Sequence, residues 1–157
     1  MFLPPDTFKT VIESTPLVSI DLIVRNNLGE VLLGLRTNSP AQHYWFVPGG
    51  RIQKNETMAE AFSRLCEAEL GLKKRISDAQ FLGPYEHFYE DSVFAKTVST
   101  HYVVLGFEFI ADIELSELPS CQHVDYQWFP PVSIKTDVNI HNHIKWYFEG
   151  INRHLLS

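Results

Sequence analysis

A carboxylate stands on the apolar side of a predicted helix. The segment Thr57–Leu70 places Met58, Phe62 and Leu65 on one helix face at about 100° per residue. Glu69 points the same way, four residues after Leu65. Because burying an unpaired charge is costly, Glu69 either reaches water from the last turn, or it binds a metal ion or pairs with a buried arginine.

Two glycines precede this helix and favour the metal interpretation. Gly49 and Gly50 permit backbone conformations that other residues avoid, so the turn can direct a carbonyl oxygen at a cation held by Glu69. Oxygen ligands suit Mg²⁺, which commonly shares phosphate oxygens with a substrate. The segment therefore predicts a site for a divalent cation and a phosphorylated ligand.

Two arginines flank the same region. Arg51 and Arg64 could meet phosphate directly, since a guanidinium presents several donors to an anion. The alternative is that they are solvated at the surface or form ion pairs with Glu56 or Glu60. Both interpretations remain open at this point.

Composition and charge restrict the class of protein. The chain has 157 residues, of which 45% are hydrophobic, and we expect one domain over residues 1–157. The formal net charge of −6 excludes the global field that draws proteins to nucleic acid, so positive charge for an anionic ligand must be local or come from a metal. Two cysteines are too few for a disulfide framework. The absence of a membrane-length apolar run or a signal-like start predicts a cytoplasmic protein without membrane partners.

The elements that must position these residues indicate an α+β fold, a mixed sheet packed with two helices. A second helix is predicted near the C-terminus, capped by Asp137, with an apolar stripe formed by Ile140, Ile144, Tyr147, Phe148 and Ile151. The predicted strands are Leu17–Arg25, Glu30–Arg36, Phe81–Phe94, Thr97–Ala111 and Tyr126–Phe129, and the segment Trp45–Gly50 ends a further short strand in a glycine turn.

The first two strands predict a contact. If their loop closes over residues 26–29, Asp21 shares a face with Gly34 and Arg36 of the partner strand. Asp21 and Arg36 would then lie diagonally across the pair, within reach of each other.

The glycine turn and the helix together resemble a known motif. The Nudix box has the form G-x5-E-x7-R-E-U-x-E-E-x-G-U, where U is a bulky aliphatic residue. Two departures concern its acidic positions, because Leu65 and Ala68 stand where the box has glutamates. Cys66 replaces an aliphatic residue. The matching residues are Gly50, Glu56, Arg64, Glu69, Gly71 and Leu72.

These departures are typical of one Nudix branch, the GDP-mannose mannosyl hydrolases, and the resemblance to that branch covers most of the chain. It includes Ser14–Ser19, Leu33–Asn38, Tyr44–Arg51 and Thr100–Phe107, and it fades after about Ser133. The resemblance implies a Nudix-type α/β/α sandwich with a mixed central β-sheet and flanking helices. It also implies a homodimer.

The resemblance further implies a reaction. The branch hydrolyses GDP-mannose, with GDP-glucose as a further candidate substrate, to GDP and free sugar by attack of water on the anomeric carbon with inversion. It uses one Mg²⁺ per active site, for which Mn²⁺ can substitute. The metal ligands carried over are the carbonyl of Gly49, the carboxylate of Glu69 and the side chain of Gln122, and the general base is His123.

Other matches concern the substrate. Arg36 resembles the arginine that helps the diphosphate depart, and Arg51 lies near the same charges. Asp21 matches the residue that meets the sugar and orients Arg36. The remaining substrate-binding matches are His87 and Tyr102 around the sugar and diphosphate, and Phe8 as a stacking partner of guanine.

Two other functions are compatible with the fold. A conventional Nudix pyrophosphatase would split the diphosphate of a nucleotide-sugar into a nucleoside monophosphate and a sugar 1-phosphate. Leu65 and Ala68 argue against it, because they remove carboxylates that gather metals and activate water. A non-enzymatic sensor of nucleotide-sugars is the third hypothesis, and the retention of Glu69, Arg36 and His123 argues against it.

Overall fold

A mixed β-sheet forms the centre of the protein. The computed structural model describes residues 3–38, 40–92, 94, 97–119 and 123–149, with the backbone alone for residues 123 and 124. The strands follow the order β3-β2-β1-β6-β5, β4 pairs with β1, and β7 pairs with β2. The β1–β6 pair is parallel and the other pairs are antiparallel. The strands are β1 (Leu17–Arg25), β2 (Val31–Arg36), β3 (Trp45–Phe46), β4 (Gly49–Arg51), β5 (Gln80–Tyr89), β6 (Thr100–Ile110) and β7 (His123–Phe129).

Helices cover both faces of the sheet, as the predicted α/β/α sandwich requires. On one face, Phe62 packs against alternate residues of β1 such as Ile20 and Leu22. On the other face, Ile23 of the same strand packs with Ile144. Short 3-10 turns occupy Ile76–Asp78, Leu115–Glu117 and Trp146–Phe148. The helices are α1 (Pro5–Ser14), α2 (Met58–Leu70), α3 (Pro131–Thr136) and α4 (Asn142–Lys145).

Local signals set both ends of α2, and the predicted helix is confirmed. The Thr57 hydroxyl accepts a hydrogen bond from the Glu60 backbone N–H at 3.1 Å, and the Glu60 carboxylate accepts one from the Thr57 N–H at 2.8 Å. Gly71 ends the helix with a φ of +66°, a left-handed conformation that glycine adopts readily. Met58, on the predicted apolar face, lies in the first turn of the helix and is 50% exposed.

The predicted hairpin register is wrong by one residue. Arg25 lies opposite Val31, not Glu30, because Glu30 belongs to the turn, where its N–H donates to the Asn26 side chain at 2.9 Å. A shift of one residue moves side chains to the other face of a strand pair. Further along β1, Asp21 pairs with Gly49 of β4. The predicted proximity of Asp21 and Arg36 is confirmed, since the charge of Arg36 acts to lower the pKa of the Asp21 carboxyl, but the predicted hairpin register is not what brings them together.

The predicted C-terminal helix is also wrong in its start. Asp137 ends α3, where its N–H donates to the Ser133 carbonyl at 2.9 Å. The residues after Asp137 run alongside β3 instead of forming a helix, since the Trp45 N–H donates to the Asn139 carbonyl at 2.9 Å. Pairing with a distant strand thus replaces the helical hydrogen bonds that the apolar spacing predicted. Three residues of the predicted apolar stripe are nevertheless buried: Ile140, Ile144 and Tyr147. Ile151 lies outside the described residues.

Other boundaries differ more modestly. Strand β5 is shorter than the predicted Phe81–Phe94, and β6 begins later than the predicted Thr97. Helix α1 was not predicted from the sequence; it begins at Pro5, where a missing N–H costs no helical hydrogen bond. Within the described ranges, no helix has the length and apolar character needed to cross a bilayer.

Candidate active site

A cavity of about 520 Å³ opens above β1 and β4, against the last turns of α2. Its volume lies within the range that small-molecule sites usually occupy. Strands β2, β3, β5 and β6 and helix α1 also contribute to its walls. Eight of the residues predicted for the site line it: Phe8, Asp21, Arg36, Gly49, Arg51, Glu69, His87 and Tyr102.

The two glycines of β4 allow the close approach that the cavity wall requires. A Cβ atom on Gly49 would lie 2.3 Å from the backbone oxygen of Ile20 and 3.0 Å from Oδ1 of Asp21. A Cβ atom on Gly50 would lie 2.6 Å from Cδ2 of Leu65 on α2. The absence of side chains here lets β4 lie tightly between β1 and the helix.

Glu69 is buried and faces the cavity. Its exposed fraction is only 5%, so the interpretation that it reaches water from the last turn of α2 is wrong. The other positions of α2 that line the cavity are Arg64, Leu65 and Ala68, none of which carries a carboxylate. Glu69 is thus the carboxylate that α2 brings to this wall.

Arg64 forms the predicted ion pair with Glu56. Its Nε lies 2.6 Å from Oε2 of Glu56, and its NH2 group donates to Oε1 at 2.9 Å and to the Arg51 carbonyl at 2.8 Å. The hydrogen bond to Glu56 raises the pKa of the Arg64 guanidinium, against the effect of burial, with a smaller contribution from the charge of Glu69. Arg64 therefore joins α2 to the loop that follows β4.

Two other guanidinium groups supply the local positive charge that an acidic chain needs at an anion site. Arg51 lies over the Phe8 ring, with 4.3 Å between Cζ and the ring centroid. Arg36 lies over the Phe46 ring at 5.6 Å. The Phe8 ring also meets Phe94 edge-on at 5.8 Å. The residue predicted to stack on guanine is thus at the cavity, and one face of its ring already contacts a cation.

Asp21 is buried in the cavity floor with an exposed fraction of 6%. Burial raises the pKa of its carboxyl from the ordinary 3.8 to about 7, opposed by a hydrogen bond from Tyr147 and by the charge of Arg36. The Tyr147 hydroxyl donates to Oδ2 of Asp21 at 2.6 Å. Around neutral pH this carboxyl can therefore be present in either protonation state.

His87 and Tyr102 face each other across the β5–β6 pair. His87 is 1% exposed, and its ring stacks on His143 with 4.3 Å between centroids. Burial raises the pKa of Tyr102, opposed by the charges of Arg36 and Arg51. His143 and Tyr147, which support this part of the site from the C-terminal segment, were not predicted as site residues. The predicted apolar stripe of the C-terminal helix was the one sequence signal that included Tyr147.

The remaining two predicted residues are at the edge of what the structure describes. The backbone of His123 begins β7 and lies opposite Arg36 of β2. Gln122 lies outside the described residues. The topology thus brings the backbone of His123 beside a residue that lines the cavity, and its role stays a prediction.

The donor chemistry at the cavity fits a hard divalent cation. Glu69 and the carbonyl groups of β4 are oxygen donors, which Mg²⁺ prefers. Among the described residues, no three histidine, cysteine or acidic side chains come together as a metal site. A cation here would therefore rely on one carboxylate with backbone and amide oxygens, the set implied by the resemblance for Gly49, Glu69 and Gln122.

The family comparison decides the class of protein. The family model described as the NUDIX domain matches residues 15–149. The chain belongs to the Nudix family. Nudix enzymes generally use a divalent metal such as Mg²⁺.

This Nudix protein is similar over most of its length to a protein of Haloferax volcanii and to two solved structures. The low-salt glycan biosynthesis protein Agl8 of Haloferax volcanii is 36% identical over 151 residues, covering 96% of this chain and 91% of that protein. The MutT protein of Methanosarcina mazei Go1 has a TM-score of 0.67 at 20% identity, covering 92% of this chain and 99% of that chain. The Nudix domain of Shewanella oneidensis NrtR, solved with ADP-ribose, has a TM-score of 0.65 at 16% identity, covering 99% and 94%. The two structures share the fold.

Proposed function

We propose that this Nudix hydrolase cleaves GDP-mannose to GDP and free mannose by attack of water on the anomeric carbon. One observation carries the proposal. Leu65 and Ala68, at two acidic positions of the Nudix box, line the cavity on the same helix as Glu69. The wall therefore lacks the extra carboxylates that would gather metals and activate water against phosphorus.

The cavity is better suited to stabilising a departing diphosphate. Arg36 and Arg51 both line it, and positive charge placed where negative charge develops lowers the barrier to departure. The GDP leaving group needs neutralisation more than it needs a proton. Mg²⁺, when bound, would add Lewis-acid neutralisation of the diphosphate, held by Glu69, the Gly49 carbonyl and Gln122.

A single base then suffices for the attack. In the proposed step His123 accepts a proton from water, whose oxygen bonds to the anomeric carbon opposite the departing oxygen. The carbon–oxygen bond to the diphosphate breaks, and its electron pair leaves with GDP. The sugar product therefore has inverted configuration. Asp21, in the cavity floor, would orient the sugar.

The relatives support a substrate of this class. The name of Agl8 refers to glycan biosynthesis, and the NrtR domain was solved with ADP-ribose, in which a diphosphate joins a nucleoside to a sugar. GDP-mannose has the same general architecture. GDP-glucose differs from it in the configuration of one hydroxyl and is the natural comparison substrate.

Hydrolysis in ¹⁸O-labelled water tests the position of attack. The purified protein is incubated with GDP-mannose and Mg²⁺, and the products are identified by mass spectrometry. The expected products are unlabelled GDP and mannose carrying one ¹⁸O. Label in GMP or in mannose 1-phosphate would overturn the proposal in favour of the conventional pyrophosphatase. Tight binding of GDP-mannose without any products would favour a sensor.

We also expect a cytoplasmic homodimer. Strand β5 is an edge of the sheet and exposes Phe81 and Phe88, with exposed fractions of 52% and 60%. Exposed apolar side chains on a sheet edge favour association. Light scattering after size-exclusion chromatography should show twice the mass of the 18.1 kDa chain, and a monomer at micromolar concentration would contradict this expectation.

A further inference from the structure

The C-terminal segment contacts Asp21 in the candidate site through one hydroxyl. Tyr147 donates a hydrogen bond to Oδ2 of Asp21 at 2.6 Å, across 126 positions of sequence. Both side chains are buried, with exposed fractions of 8% and 6%. This distance is typical of a hydroxyl bonded to a carboxylate, one of the stronger hydrogen bonds in proteins.

Glycines on both neighbouring strands make room for this arrangement. Asp21 of β1 pairs with Gly49 of β4 on one side and with Gly106 of β6 on the other. A Cβ atom on Gly106 would lie 2.9 Å from Cε1 of Tyr147. The Tyr147 ring therefore occupies space that only a glycine leaves open beside Asp21, and Tyr85 closes its other side at 4.5 Å between ring centroids.

The two members of the pair differ in their access to a ligand. Asp21 lines the cavity, whereas Tyr147 is not among its lining residues. The hydrogen bond to the Asp21 carboxylate therefore links the Tyr147 hydroxyl to the cavity. Because one carboxylate oxygen accepts the Tyr147 hydrogen bond, the rotation of the group about its side-chain bonds is restricted.

We propose that Tyr147 is a positioning residue that holds the Asp21 carboxylate in the orientation required for the sugar. The inference rests on the proposed function, since Asp21 is assigned to the sugar there. It differs from a purely structural role, in which the hydroxyl would only satisfy a buried carboxylate. In that case its loss would change stability and leave the orientation of Asp21 and the chemical step unaffected.

The first test compares two tyrosines that pack against each other. Tyr147→Phe removes the hydroxyl and keeps the ring over Gly106. Tyr85→Phe removes a hydroxyl from a neighbouring buried ring that does not line the cavity, and it serves as the matched control. We expect kcat for GDP-mannose to fall about 10- to 100-fold in Tyr147→Phe, because small misplacement of a positioned group is costly to rate. The affinity for GDP, measured by calorimetry, should change less than about twofold in both variants.

The second test asks whether Tyr147 acts through Asp21. In an Asp21→Ala background, Tyr147→Phe should lower kcat/KM by less than about twofold, since its target is already absent. Independent effects would multiply instead, and this outcome would overturn the proposal. Gly106→Ala is a second variant, which retains both polar groups and displaces the Tyr147 ring. It should also lower kcat, without changing the affinity for GDP.

A crystal structure of Tyr147→Phe separates this inference from the proposed function. We expect the Asp21 carboxylate to be rotated from its wild-type orientation. An unchanged orientation would overturn the positioning role whatever the enzyme hydrolyses. If the wild-type protein fails to release GDP from GDP-mannose, the proposed function fails, and the crystal structures still decide the role of Tyr147. If the wild-type protein hydrolyses GDP-mannose and Tyr147→Phe has the same kcat, the positioning role of Tyr147 is refuted and the proposed function is not.

Discussion

Replacing Asp21 by asparagine should stabilise the metal-free protein above pH 7 but not near pH 4. The Asp21 side chain is buried, and this burial raises the pKa of its carboxyl from 3.8 to about 7 despite the hydrogen bond from Tyr147 and the charge of Arg36. Asparagine has almost the same shape and is neutral at every pH. The variant therefore mimics the protonated carboxyl that the folded protein prefers.

The sign and the size of the effect follow from linkage. A raised carboxyl pKa means that the folded protein binds this proton more tightly than the unfolded chain does. The free energy of unfolding of wild type should therefore fall as the pH rises from about 4 to about 7, and level off above that. Each tenfold change in proton affinity is worth about 1.4 kcal/mol, so the whole interval from 3.8 to about 7 corresponds to roughly 4 kcal/mol.

Urea unfolding followed by tryptophan fluorescence measures this difference. Wild type and Asp21→Asn are compared at pH 4.5, 6 and 8 with a chelator present, so that other titrating groups cancel between the two proteins. The advantage of the variant should grow with pH. Glu67→Gln, the same chemical change at an exposed position of α2, should show no comparable trend. A difference that does not depend on pH, or a variant that is less stable at pH 8, would refute the argument from burial.

Four further substitutions test other parts of the site. His123→Ala should lower kcat by about 10²–10⁴ with little change in GDP affinity, as expected for a general base, and an equal loss of affinity would indicate a structural role. Glu69→Gln should weaken Mg²⁺ binding in calorimetric titrations, and an unchanged titration would exclude this carboxylate from the metal site. Gly49→Ala should lower the free energy of unfolding by about 1–3 kcal/mol, because its Cβ atom meets a backbone oxygen at 2.3 Å. Gly50→Ala, where the nearest atom is the end of a leucine side chain, should cost less; equal losses would contradict this steric explanation.

Helix α2 shows how much local sequence can determine. Thr57, Glu60 and Gly71 mark its ends through contacts within one or two turns, so no distant partner is required. Its apolar spacing also predicted that Glu69 lies on the side facing the core, and the structure confirms this orientation. What Glu69 binds stays a prediction.

Strand register and the C-terminal helix were predicted less well, because both depend on distant partners. Glu30 enters a turn that Asn26 organises, and this displaces the pairing of β2 by one residue. Asp137 precedes a segment that pairs with β3 instead of continuing as a helix. Neither competing set of hydrogen bonds is visible in the spacing of apolar residues.

The sequence by itself determined the family and the two acidic positions missing from the Nudix box, since both depend on residue types at short spacing. Only the tertiary structure decided the surroundings of Asp21. Gly49 and Gly106 reach it from two other strands, and Tyr147 reaches it from the opposite end of the chain. The pKa of that carboxyl follows from burial, and burial is a property of packed elements that no local pattern specifies.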